Sequence, residues 1–237
     1  MNLLQSKDKN FASPILENGN SRTSAEQLRL TEIFFSLQGE TKTVGLPTVF
    51  IRLTGCPLRC QYCDTAYAFH GGKRYSIDAI VTEVKKYQTA FVTVTGGEPL
   101  AQKACHLLLK RLCDEHYIVS LETSGALSVA DVDTRVIKVL DFKTPASLEA
   151  PKNHWENVQF LLPHDQVKFV ICDEADYKWA KEVILQYGLT TRCEVLFSPC
   201  YQILSPTQLA EWILEDQLPV RMQIQLHKYL WGDVPGR

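Results

Sequence analysis

Short apolar runs rich in β-branched residues alternate with amphipathic stretches along most of the chain. Thr48-Val49-Phe50-Ile51-Arg52-Leu53, entered from Pro47, reads as a strand, because branched and aromatic side chains suit a pleated surface. Ser76 then caps a predicted helix whose apolar stripe is Ile77, Ile80, Val81, Val84 and Tyr87. Phe91 to Val94 reads as a second strand, ending at Gly96-Gly97. A helix through Leu107, Leu108 and Leu112 leads into a strand from Tyr117 to Leu121. Further strands are expected at Val136 to Phe142, Val167 to Ile171, Glu194 to Phe197 and Arg221 to Leu226. Two more helices lie among them. One turns Ala180, Val183 and Ile184 inward and stops at Gly188. The other starts at Ser205-Pro206-Thr207-Gln208, with a cap, a first-turn proline and a capping-box glutamine, and continues through Leu209, Trp212 and Ile213. Strands and helices alternating in this way predict an α/β fold, a parallel sheet covered by helices.

Residues 1–27 are polar and follow neither period, so they read as a flexible extension, and 28–237 as one core domain. At 237 residues, 45% hydrophobic and 22% charged, the chain has the composition of a soluble globular protein able to bury a sizeable core. A formal charge of -2 gives no electrostatic reason to expect nucleic acid or an anionic membrane as partner. No apolar run approaches the roughly 20 residues of a membrane span, and Met1 to Asn20 lacks a signal-peptide core, which points to the cytoplasm. In that reducing compartment eight cysteines are not a disulfide framework. Three crowd together between positions 56 and 63. Cys105, Cys113, Cys172, Cys193 and Cys200 are scattered, as small buried hydrophobes are, and of these only Cys200 falls where chemistry is expected.

In a parallel α/β fold, ligands bind at the carboxyl ends of the strands. The unusual motifs of this sequence fall at such ends: the cysteine cluster, Gly96-Gly97-Glu98-Pro99, Glu122-Thr123-Ser124-Gly125, Lys143 and Ser198-Pro199. The segment from Gly55 to Thr65 places Cys56, Cys60 and Cys63 in a C-x3-C-x2-C spacing. Thiolates are natural ligands of iron–sulfur clusters, and three of them leave one iron of a four-iron cube open. A structural zinc site wants four ligands, and His70 stands near enough in sequence to be the fourth. The cluster is favoured because it makes the open corner a position for substrate.

This spacing, with Tyr62 before its last cysteine, resembles the signature of the radical S-adenosylmethionine (SAM) superfamily, and Gly96-Gly97-Glu98-Pro99 is similar to its GGEP motif. The stretches Glu32 to Glu40, Gly45 to Leu53, Cys63-Asp64-Thr65 and Gln225 to Gly232 narrow the likeness: they resemble the 7-carboxy-7-deazaguanine synthase family of queuosine biosynthesis. The resemblance runs from Leu28 to the end. It implies a partial, clipped radical SAM β/α barrel of about six parallel strands. It also implies a [4Fe–4S] cluster on Cys56, Cys60 and Cys63, SAM on the open iron, and Mg2+. The implied lyase reaction converts 6-carboxy-5,6,7,8-tetrahydropterin to 7-carboxy-7-deazaguanine, contracting a ring and losing ammonia. An adenosyl radical takes a hydrogen from C6, the skeleton rearranges, and the substrate radical recovers that hydrogen, so that SAM is reused. A flavodoxin- or ferredoxin-type electron donor and a homodimer are implied as well.

Position by position, the resemblance assigns Leu37, Gln38, Gly39 and Glu40 to the pterin, partly through backbone groups. Arg52 and His227 face the substrate carboxylate, which a guanidinium fork suits, and Thr95 also touches substrate. Thr65 is the implied Mg2+ ligand, a hard oxygen for a hard cation. Tyr62, Cys63, Asp64, Gly97 and Glu98 border SAM; Asp141-Phe142-Lys143 and Ser198-Pro199-Cys200-Tyr201 complete its pocket. Plainer readings stand beside these: Arg52 in a surface ion pair, His227 packed in the core, Thr65 capping a turn. Two rival functions are a glycyl-radical-enzyme activase of the same superfamily and a non-enzymatic zinc-binding module.

Overall fold

The computed structural model describes residues 26–236. A long first strand, β1 (Gln27–Leu37), pairs antiparallel with β2 (Pro47–Leu53) and with a short edge strand, β3 (Lys73–Ser76). From β2 onward each pairing is parallel, through β4 (Phe91–Gly96), β5 (Ile118–Thr123), β6 (Ile137–Asp141), β7 (Gln166–Ile171), β8 (Glu194–Pro199) and the two-residue β9 (Arg221–Met222). They form one sheet in the order β3-β1-β2-β4-β5-β6-β7-β8-β9, curved but not closed. Four crossover helices follow the parallel strands: α1 (Ile77–Val84), α2 (Cys105–Asp114), α3 (Glu174–Tyr187) and α4 (Pro206–Glu215). A short α5 (Leu226–Trp231) ends the described chain, and its Leu226 N–H donates to the Gly39 carbonyl at 2.9 Å.

The two faces of the sheet differ because the strands alternate. Val49, Ile51 and Leu53, Val92 and Val94, Val119 and Leu121, Val167, Phe169 and Ile171, and Val195 and Phe197 all join the apolar core beneath the helices. The residues between them, Arg52, Thr93, Thr95, Ser120, Glu122, Lys168 and Ser198, point to the opposite, concave face. A shell of aliphatic side chains thus carries an interior of polar ones.

The clipped α/β barrel expected from the sequence is present: β2 and β4 to β8 are its six long parallel strands. The caps of two helices are as the sequence suggests, with Ser76 Oγ accepting from Ala79 N–H at 3.2 Å at the start of α1 and Gly188 closing α3 in the left-handed region. Several expectations need correction. β1 already contains Gln27, paired with Ser76, and residues 1–25 of the expected extension lie outside the described residues. β1 and β3 have no counterpart in the expected strands. The strand expected from Arg221 to Leu226 stops at Met222, after which the chain turns across to Gly39 and enters α5. α4 starts at Pro206 as expected, but Ser205 makes no side-chain capping bond.

Candidate active site

The polar face of the sheet opens into a cavity of about 500 Å³, within the range of a small-molecule site. Nearly every residue singled out in the sequence lines it. Glu98 and Phe142 do not. Phe142 is fully buried on the helix side, 4.8 Å from the Trp155 ring and under Gly125, so it is a core residue. Glu98 is also fully buried: its carboxylate accepts from Leu100 N–H at 2.9 Å, Thr123 Oγ1 at 2.9 Å, and Ser124 N–H and Oγ at 2.8 and 2.5 Å. That side chain ties the end of β4 to the end of β5 instead of facing a ligand.

The three loop cysteines are half-buried and line the cavity together. Backbone bonds hold the loop: Gly55 N–H donates to Ala68 O, and Glu98 N–H to Gly55 O, both at 2.8 Å. Arg59 N–H donates to Glu149 Oε1 at 2.6 Å, its guanidinium donates to Cys56 O at 2.7 Å, and it stacks 4.3 Å from the centre of the Phe69 ring. Gly97 belongs to the same construction. A Cβ there would stand 2.3 Å from Gly55 O and 2.9 Å from Cys56 Cβ, so its lack of a side chain admits the cysteine loop. Burial raises all three thiols, Cys60 to about 11, so metal loading must expel their protons. Among the described residues no three His, Cys, Asp or Glu side chains converge as ligands of a single metal ion.

Opposite stands a network the sequence did not disclose. Glu122 Oε2 accepts from Thr95 Oγ1 at 3.0 Å and Oε1 from Gln38 Nε2 at 3.2 Å. Burial, then the nearby Glu40 charge, pushes the Glu122 carboxyl above its ordinary value. Gln38 Nε2 also donates to Thr93 Oγ1 at 3.1 Å, and Gln38 Oε1 accepts from Glu40 N–H at 3.1 Å. Its backbone N–H and C=O bond Leu46 and Gly45. Gln38 is thus tied into the wall of the site through both its side chain and its backbone. Lys168, on β7, pairs with Glu40 and stands 3.4 Å from Asp141, which Lys143 meets at 3.1 Å. Burial alone would lower Lys168, but Glu40 and Asp141 outweigh it and hold the ammonium charged. Asp141 likewise stays ionised because Lys143 and Lys168 overcome its burial. A lone lysine inside an otherwise apolar strand run was the signal available for Lys168.

Arg52 faces the cavity and is ion-paired within its wall. Its Nε donates to Glu32 Oε1 at 2.8 Å, and the same oxygen accepts from Tyr67 OH at 2.8 Å. His227 presses on the Gly39 backbone, where an added Cβ would lie 2.0 Å from Nδ1. Burial lowers this imidazole, so it is neutral at pH 7. Thr65 Oγ1 donates to Asp64 Oδ1 at 2.8 Å and makes no side-chain cap to the turn that follows. Asp64 accepts from Lys228 Nζ at 2.9 Å; burial would raise it, but Lys228 with the Thr65 and Gln225 hydrogen bonds holds it well below the usual carboxylate range.

Residues 50–142 match the family model described as the radical SAM superfamily. The chain is 45% identical over 208 residues to a 7-carboxy-7-deazaguanine synthase of Chlorobaculum tepidum, covering 86% of this chain and 94% of that one. It is 43% identical over 219 residues to the enzyme of the same description from Koribacter versatilis, covering 86% and 97%. Among solved structures it resembles QueE from Escherichia coli with a TM-score of 0.65 at 20% identity, over 85% of this chain and 95% of that one, a likeness of fold.

Proposed function

This chain belongs to the 7-carboxy-7-deazaguanine synthase family of radical SAM enzymes, and we propose on that premise how its cavity divides the work of ring contraction. Conversion of 6-carboxytetrahydropterin to 7-carboxy-7-deazaguanine is its reaction. A [4Fe–4S] cluster held by Cys56, Cys60 and Cys63, together with SAM, supplies the adenosyl radical that starts it. The donor set fits that group: three half-buried thiols on one short loop face one cavity.

Within this reading, Glu122 receives the donor edge of the pterin. An aminopyrimidinone presents adjacent N–H groups, and a carboxylate accepts such a pair with two parallel bonds. Thr95 and Gln38 fix the carboxylate in place. Arg52 and His227 take the substrate carboxylate: the guanidinium as a charged fork, the neutral imidazole as a single donor. Tyr62, Cys63, Asp64 and Gly97, with Asp141, Lys143 and the Ser198–Tyr201 turn, border SAM. Thr65 donates its only proton to Asp64, which leaves its lone pairs for Mg2+. The reductant is a flavodoxin- or ferredoxin-type protein, the assembly a homodimer and the location cytoplasmic. Family membership supports the first two. Among the described residues no helix is long and apolar enough to cross a membrane.

The observation that carries this reading is that the cysteine loop and the Glu122–Thr95–Gln38 group face the same cavity. Reconstituted, reduced protein incubated anaerobically with SAM and 6-carboxytetrahydropterin is expected to release the carboxydeazaguanine, faster with Mg2+ than without. Cluster-replete protein that yields none would refute it. Glu122→Gln is expected to lower kcat/KM for the pterin about tenfold to a hundredfold, the worth of a hydrogen bond to a charged group. SAM affinity should stay unchanged in that variant, and steady-state kinetics with a separate SAM titration tells the two apart.

A further inference from the structure

We propose that Cys172 and Cys200 form an oxidisable dithiol in the cavity wall, which closes to an intrachain disulfide and thereby weakens SAM binding. The coupling to SAM rests on the reading of this cavity given above. The dithiol itself does not.

β7 and β8 end side by side, with Ile171 paired to Pro199. The Cys200 N–H donates to Ile171 O at 2.8 Å, carrying the ladder one step further, so Cys172 and Cys200 are the next lateral neighbours. Neighbouring strands lie about 4.7–4.9 Å apart, little more than the roughly 3.5–4.5 Å between Cβ atoms that a disulfide spans. The two thiols are near enough to shift one another's proton affinity in opposite directions. Both side chains are buried, but Cys200 lines the open cavity, so a small oxidant reaches it from there while Cys172 lies behind. Cys200 is the thiol the cavity exposes, and its neighbour Cys172 together with the Lys228 ammonium holds it below its ordinary value; Cys200 is thus the nucleophile of the pair. Cys200 also begins the turn that carries Tyr201, whose ring lies 4.9 Å from Lys228 Nζ.

The oxidant is a low-molecular-weight disulfide. The Cys200 thiolate attacks one of its sulfurs, the sulfur–sulfur bond breaks, and one thiolate leaves. Cys172 then gives up its proton and attacks the Cys200 sulfur of the mixed disulfide, expelling the second thiolate. The two cysteine thiols lose two electrons and two protons, and the oxidant takes up both pairs as two thiols. Closure draws the Ser198–Tyr201 turn toward the end of β7 and reshapes the wall.

The test treats full-length, cluster-reconstituted protein anaerobically with 2-hydroxyethyl disulfide, alkylates the remaining thiols and maps the peptides by mass spectrometry. A Cys172–Cys200 crosslink is expected, with the SAM dissociation constant raised about tenfold and restored by dithiothreitol. Cys172→Ser protein should keep its affinity through the same treatment. Alkylation of both cysteines as free thiols would overturn the proposal, as would a crosslink that leaves affinity unchanged. So would an equal loss of affinity in Cys172→Ser, which would trace to the cluster cysteines. Reduced wild-type protein that never binds SAM would instead overturn the reading of the cavity.

Discussion

Cys56→Ala protein is expected to fold normally, to assemble no four-iron cluster and to form product at least about a thousandfold more slowly, a loss of about 4 kcal/mol of barrier lowering. The two halves of this expectation have separate causes. Activity fails because the remaining Cys60 and Cys63 are too few to hold the cubane with one iron open. The fold survives because the Cys56 thiol contributes little to it. Its contact with the loop is a weak acceptance from Leu58 N–H at 3.4 Å. The bonds that place the loop run through backbone atoms: Gly55 to Ala68, Glu98 to Gly55, and Arg59 onto the Cys56 carbonyl. A half-buried residue of this kind should cost within about 1 kcal/mol when truncated. Iron content and visible absorption after reconstitution, beside the thermal midpoint, check both halves. A variant that builds the cluster and turns over at the wild-type rate would end the cysteine assignment.

The sequence made the outer shell of this protein legible and its inner face only in part. Apolar runs such as Phe91 to Val94 and Val167 to Ile171 marked strands because each strand buries one face completely under helices. Two strands escaped. Lys73-Arg74-Tyr75-Ser76 is an exposed edge whose hydrogen bonds, not its side chains, make it a strand. β1 is exposed over part of its length, which blurs the alternation that would have announced it. The same alternation carried unread information about chemistry. In Val92-Thr93-Val94-Thr95 and Val119-Ser120-Leu121-Glu122 every second residue is polar, and those are the residues that line or support the cavity. Motifs at the strand ends were visible as spelling. Lys168 and the bonding of Gln38 to Glu122 were not, because they join residues far apart in the chain, and only the curvature of the sheet brings them together. Glu98 and Phe142 do not line the cavity, for a related reason: adjacency to a motif does not say which side of the sheet a side chain takes.

Gly97→Ala separates two explanations of the glycine pair. If Gly97 served only the approach of a ligand, alanine would leave the unliganded protein as stable as before and weaken SAM alone. The geometry predicts otherwise. Gly97 does not lie in the left-handed region, so alanine meets no backbone penalty. What it meets is the Gly55 carbonyl oxygen at 2.3 Å, the Gly55 carbonyl carbon at 2.7 Å and Cys56 Cβ at 2.9 Å. None of these is the far end of a flexible side chain. Relief requires moving the cysteine loop off β4, against the Glu98 N–H to Gly55 O bond that holds it there. The expected cost is about 1–3 kcal/mol of stability, the usual range for overpacking. Cluster yield should collapse at temperatures where the protein is still folded, because Cys56 moves with Gly55. A contrast comes from Gly71, which has φ +79° and open space around its Cβ position. Alanine there should cost about 1–2 kcal/mol through backbone conformation alone while the cluster loads normally. Normal cluster yield and an unshifted thermal midpoint in Gly97→Ala would show that the loop tolerates the methyl group, and the glycine would then have to be explained by its ligand.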